Sequence, residues 1–179
     1  LLKNRNNILP LAASANRILV VGGYADAGVL SGAGSSQVQG EGGPVVSLPT
    51  TAEGPFAPIM AQNYHRSSPL KAILARAPQA EVTFRDGRYP AEAAVAAKNA
   101  DLVIIFATQW MSEGLDVPDL SLPSGQDQLI AAVAKVNPNA VVVLQTGGPV
   151  AMPWQPRSSK PGIRALEVER PSLRSCSAT

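Results

Sequence analysis

Asp101-Leu102-Val103-Ile104-Ile105-Phe106-Ala107 decides the fold. The run has no polar face after its first residue, so it predicts a strand buried on both sides, as central parallel strands are. Arg17 to Gly22 (RILVVG) and Ala140 to Gln145 (AVVVLQ) read the same way, and Val82-Thr83-Phe84 is a shorter strand candidate. Helical patterns lie between them. Ser68-Pro69 forms an N-cap and first-turn pair, followed to Ala77 by Leu70, Ile73, Leu74 and Ala77 on one face. Pro90 to Ala100 (PAEAAVAAKNA) predicts an alanine-rich helix that packs closely because its side chains are small. Gly125 to Val136 carries Leu129, Ile130, Val133 and Val136 at helical spacing. Strands alternating with helices specify an α/β fold, a mostly parallel sheet covered by helices.

The 179 residues are 45% hydrophobic, enough for one sizeable core and one domain. The longest apolar runs fall far below the ~20 residues of a transmembrane helix. A single Cys, Cys176, excludes an internal disulfide framework, and His65 is the lone histidine, so neither a metal site nor a cofactor is expected. Charge is uneven. Residues 1 to 154 hold ten basic and eleven acidic groups, whereas 155 to 179 hold five basic (Arg157, Lys160, Arg164, Arg170, Arg174) against Glu167 and Glu169. The basic excess comes with no aromatic-interleaved face, so neither nucleic acid nor membrane is an expected partner.

Ligand-facing groups of open α/β sheets collect beyond the carboxyl ends of the strands, here in loops that begin at Gly22, Thr108 and Thr146. Gly22 to Gly28 lacks the spacing of a dinucleotide fingerprint, which opens directly into a helix. From Tyr24 to about Ser67 the chain is rich in Gly, Ser, Pro and Thr with no periodicity, too long for a mere connector. The loop Thr108-Gln109-Trp110-Met111-Ser112-Glu113-Gly114-Leu115-Asp116 is the best chemical candidate. Between an aromatic and a glycine, Glu113 is expected on a bent, partly desolvated loop tip, with its pKa raised toward that of a general acid. The alternative is a loop carboxylate fully in water.

Four ordered motifs add a resemblance. They are Leu1-Leu2-Lys3-Asn4 with Ile8-Leu9-Pro10-Leu11, Val29-Leu30-Ser31-Gly32-Ala33-Gly34-Ser35-Ser36-Gln37, Ser112-Glu113-Gly114-Leu115-Asp116 with Leu120 to Pro123 and Gln126, and Gln145 to Trp154 (QTGGPVAMPW). Together they resemble the second domain of glycoside hydrolase family 3, the β-glucosidase family. The resemblance implies a flavodoxin-like α/β sandwich that lends the acid/base Glu, here Glu113, to retaining hydrolysis of terminal β-D-glucosides or oligosaccharides. The Asp nucleophile would come from an N-terminal (β/α)8 barrel outside this chain, so the chain alone is expected to be an inactive fragment. Ser35, Ser36, Gln37 and Trp110 are implied substrate contacts, and Asp116 a group that fixes the Glu113 loop. At Val117 many relatives carry Arg, which removes a supporting ion pair. A non-catalytic carbohydrate-binding or interaction module is the alternative from another class.

Domain organisation follows: residues 1–16 as a linker into the domain, 17–154 as an incomplete sandwich, and 155–179 as a tail without homology. The tail has no helical or strand period and is expected to be poorly ordered. A reading frame shifted near codon 155 is one account of the departure; a vector-derived or genuinely divergent tail is the other. Back-translated from Pro161 with permitted, GC-leaning codons chosen for the purpose and reread one base earlier, the tail can give GHPRAGGGTAIATVLFGD, which resembles the family's missing segment; the nucleotide sequence of the gene decides between the two. Any signal peptide would precede this segment in the parent protein.

Overall fold

The computed structural model describes residues 15–38, 40–51, 53–55 and 57–155 and the backbone of 164–167. Its main sheet contains β1 (Arg17–Val21), β5 (Glu81–Arg85), β6 (Leu102–Gln109), β7 (Ala140–Thr146) and β8 (Arg164–Glu167). Their order across the sheet is β5-β1-β6-β7-β8, and every neighbouring pair is parallel. After β1 the chain steps to one side, then crosses back over β1 to place β6. That reversal puts the topological switch point between β1 and β6 in a doubly wound, flavodoxin-like order.

Successive strand residues point to opposite faces, and the apolar runs fill both. Leu19, Val21, Val103, Ile105, Val142 and Leu144 face α2 (Pro90–Ala97) and α3 (Gln126–Val136), which contribute Ala93, Ala97, Ile130 and Val133. Ile18, Val20, Ile104, Phe106 and Val143 face α1 (Pro69–Arg76), where Leu70 and Ile73 pack. Removing each such aliphatic side chain from water stabilises the fold by roughly 1.5–3 kcal/mol. α1 is a shallow cover: it has no fully buried residue, and Leu74, expected on its inner face, is 45% exposed. The Ser68 hydroxyl accepts from the Lys71 amide and donates to the Ala25 carbonyl, so the helix cap also fixes the loop after β1. Asn137, 5% exposed, donates to the carbonyls of Ala97 and Ala100, each at 2.8 Å, and so joins the ends of α2 and α3.

Two segments depart from the sequence reading. Within residues 24–67 the chain forms a second, antiparallel sheet in the order β2 (Val29–Leu30), β4 (Gln62–His65), β3 (Val46–Leu48). These strands are two to four residues long and include the buried polar Asn63, so no apolar alternation marks them. Tyr64 anchors this sheet beneath Tyr24, with ring centroids 4.7 Å apart, and the Leu30 amide donates to Gln145 Oε1 at 3.2 Å. The reading of 155–179 as free of strand structure is corrected at β8, which pairs with β7 from Val141↔Arg164 to Leu144↔Glu167. The edge of β7 offers backbone donors and acceptors that a short segment can satisfy without any side-chain period. The rest of the tail, 156–163 and 168–179, lies outside the described residues, as do 1–14.

Candidate active site

The loops leaving β1 and β6 meet over the switch point. Ala33 and Ser112 form an isolated parallel bridge, and the Ala33 amide donates to the Met111 carbonyl at 3.3 Å. A second bridge, between Ser112 and Leu115, closes a tight turn through Gly114, whose φ of +77° suits glycine. Glu113 stands exposed at its tip. Opposite lies the Gly34–Ser36 3-10 turn. The Ser35 amide donates to Glu113 Oε2 at 3.1 Å, and the Ser35 hydroxyl donates to the same oxygen. Gly34 makes this approach feasible: it has a φ of +82°, and a Cβ there would lie 2.7 Å from Glu113 Cβ. Behind the loop, the Ser112 hydroxyl reaches Met60 Sδ at 3.1 Å, in the Ala57–Met60 3-10 turn.

The remaining motif residues build the base of the loop. A Cβ at Gly147 would fall 2.7 Å from Met111 Cβ, so a side chain there would displace the loop, whereas one at Gly148 would meet only the flexible end of Met111, 2.9 Å from its Sδ. Gln126 takes the Thr108 amide on its Oε1 and donates to the Thr108 and Pro123 carbonyls, each at 2.8 Å. Asp127 accepts from Trp154 Nε1 at 2.7 Å and from the Leu122 amide at 3.0 Å. Gln109 Oε1, Trp110 Nε1 and Thr146 Oγ1 are buried without a hydrogen-bond partner among the described residues.

The structure thus brings Ser35 onto Glu113 and uses Gln37 differently, with its amide donating to the Gly32 carbonyl at 3.2 Å. The backbone of Ser36 belongs to the same turn, while its side chain lies outside the described residues. Trp110 is half-buried, and Asp116 is exposed with no hydrogen bond or ion pair to the Glu113 loop among the described residues. The expected upward shift of the Glu113 pKa is corrected. The Ser35 hydroxyl, followed by the Ser35 amide, stabilises the ionised form and holds the carboxyl below its ordinary value, because the exposed tip imposes little desolvation. Among the described residues, no group of three or more His, Cys, Asp or Glu is placed to hold a metal. Reading the sequence missed Met60, which carries no motif signal, and the reason for Gly34, which Gly-Ser-Ser beside a loop carboxylate could have suggested.

A doubly wound parallel sheet with a carboxylate-bearing loop at its switch point defines the class: an open α/β domain whose ligand-facing loops lie beyond the carboxyl ends of its strands. The family model for the glycosyl hydrolase family 3 C-terminal domain matches residues 1–166, and the chain belongs to that family. The beta-glucosidase of Rhizobium radiobacter is 54% identical over 67 residues, 36% of this chain and 8% of that protein. Thermostable beta-glucosidase B of Acetivibrio thermocellus is 32% identical over 157 residues, 86% of this chain and 19% of that protein. The chain therefore spans less than a fifth of either relative. Among solved structures, the family 3 beta-glucosidase of Bifidobacterium adolescentis matches at 31% identity and a TM-score of 0.55, over 90% of this chain and 22% of that one. DesR, a beta-glucosidase from Streptomyces venezuelae, shares the fold with a TM-score of 0.65 at 22% identity, over 85% of this chain and 31% of that one.

Proposed function

We propose that this domain supplies the acid/base carboxyl of a retaining β-glycosidase, with Glu113 as that group and a terminal β-D-glucoside or oligosaccharide as substrate. The observation that carries the reading is the placement of Glu113, a solvent-facing carboxylate on the loop leaving β6 beside the switch point. In the first step, an Asp from a (β/α)8 barrel attacks the anomeric carbon while Glu113 gives its proton to the departing glycosidic oxygen. In the second, Glu113 removes a proton from the water that attacks the glycosyl-enzyme, and the sugar leaves with its configuration retained. The two carboxyls must stand about 5–5.5 Å apart, which a cleft between two domains provides. The 179-residue chain alone is then inactive. Ser35, Ser36 and Gln37 are proposed contacts on the leaving-group side and Trp110 a stacking surface for a sugar; Asp116 makes no hydrogen bond or ion pair to the Glu113 loop among the described residues, so its proposed role in fixing that loop depends on the assembled enzyme.

Glu113→Gln in the full-length enzyme tests the assignment. For sugar leaving groups, which depart only when protonated, kcat/KM should fall by about 10²–10⁴-fold; acidic phenols should lose less. Unchanged turnover would overturn the role, and combined with calorimetric sugar binding by the isolated chain it would assign a non-catalytic carbohydrate-binding module instead. Release of glucose from an aryl β-glucoside by the purified 179-residue chain would overturn the incompleteness.

A further inference from the structure

We propose that Ser35 is a positioning residue for the Glu113 carboxyl: its amide and hydroxyl together hold Oε2 against the Gly34–Ser36 turn and leave Oε1 to exchange the proton. The inference rests on the acid/base reading of Glu113. Three observations carry it. Both donors of one residue converge on one carboxyl oxygen, while Oε1 has no hydrogen-bond partner among the described residues. The Ala33–Ser112 bridge and the hydrogen bond from Ala33 to Met111 fix the turn and the loop against each other, so the contact is built into two backbones. The turn also passes so close that a Cβ on Gly34 would lie 3.3 Å from Oε2 and 2.7 Å from Glu113 Cβ. A glycine therefore brings the serine onto the carboxyl.

Among the described residues, no neighbouring charge offers a competing explanation. The Gly34–Ser36 and Ala57–Met60 turns around the loop carry no titratable side chain, and the loop itself adds only Asp116, which is exposed. In the 179-residue chain, hydrogen bonding from Ser35 therefore sets the direction in which the proton affinity of the carboxyl departs from its ordinary value. A carboxylate held on one oxygen keeps its direction while the other oxygen alternates between acid and base, which is what two sequential proton transfers at one place require.

The test is a carboxyl-carbon NMR titration of the 179-residue chain, with the Glu113 signal assigned by its loss in Glu113→Gln. Wild type should titrate below the ordinary Glu value of 4.5. Ser35→Ala should raise the midpoint part of the way, because the amide at residue 35 still donates, whereas Ser35→Thr, which keeps both donors, should titrate like wild type. Coincident titrations of Ser35→Ala and wild type would overturn the clamp and leave the acid/base reading standing. Full turnover by Glu113→Gln in the full-length enzyme would overturn that reading and leave the clamp standing.

Discussion

Glu113 Oε2 accepts hydrogen bonds from both the amide and the hydroxyl of Ser35, a residue 78 positions earlier in the chain. The two residues meet because β1 and β6 are hydrogen-bonded neighbours at the switch point, so the loops beyond their carboxyl ends share one space. The carboxyl consequently meets donors rather than an apolar pocket, and its proton affinity falls.

That relationship predicts a kinetic signature in the full-length enzyme. The basic limb of kcat/KM reports the group that must be protonated in the free enzyme. Losing the Ser35 hydroxyl raises the proton affinity of Glu113, so Ser35→Ala should move this limb to higher pH. A limb that stays in place in a comparison of the two pH–rate profiles would contradict the link between clamp and catalysis.

Gly34→Ala should disturb the site without unfolding the domain. Its Cβ would meet Glu113 Cβ at 2.7 Å and would also sit at a φ of +82°, costing on the order of 1–3 kcal/mol of local strain. Turn and loop must separate, so the Glu113 titration should return to the ordinary Glu value while far-UV circular dichroism is unchanged. A titration still depressed in this variant would show that the turn tolerates a methyl group.

Acid should destabilise the fold in a defined window. Asp101, beside Arg17, and Asp119, beside Ser121, are held below the ordinary Asp value of 3.8, and Glu113 lies below 4.5. The unfolded chain therefore takes up these protons first. Their stabilisation is complete above the ordinary carboxylate range and is lost as pH falls through the lowered values. Urea midpoints should be flat from neutral pH to the top of that range and then decline. Asp101→Asn should make the decline shallower, and salt should weaken the Asp101 part of it, because the Arg17–Asp101 ion pair is exposed.

Asp127→Ala should loosen the base of the Glu113 loop. Trp154 Nε1 and the Leu122 amide both lose their acceptor. Leaving partly buried donors unpaired costs about 1–3 kcal/mol. In a Trp110→Phe background, where Trp154 is the only tryptophan, its emission should shift to longer wavelength and the urea midpoint should fall. An unshifted spectrum with an unchanged midpoint would show that Asp127 does not hold the segment.

The extent to which the sequence reveals the fold depends on the element. The apolar runs at Ile18–Val21, Leu102–Ala107 and Ala140–Leu144 become β1, β6 and β7 within a residue or two, because strands buried on both faces have no alternative placement. Ser68-Pro69 marks the start of α1, and the spacing of Leu129, Ile130 and Val133 marks the inner face of α3. β2, β3, β4 and β8 were not legible. They are held by backbone pairing with distant segments, and Asn63, Ser47 and Gln145 satisfy their polar groups only after the chain has folded.

The sequence by itself determined the alternation of strands and helices, the carboxylate on the loop after β6, and the family to which the motifs belong. Local periodicity and short motifs carry that information along the chain. Only the tertiary structure decided which donors Glu113 meets, and with them the direction of its pKa. Hydrogen bonding and solvation at Glu113 depend on Gly34 and Ser35, which no local pattern connects to it; the crossing of the chain over β1 does.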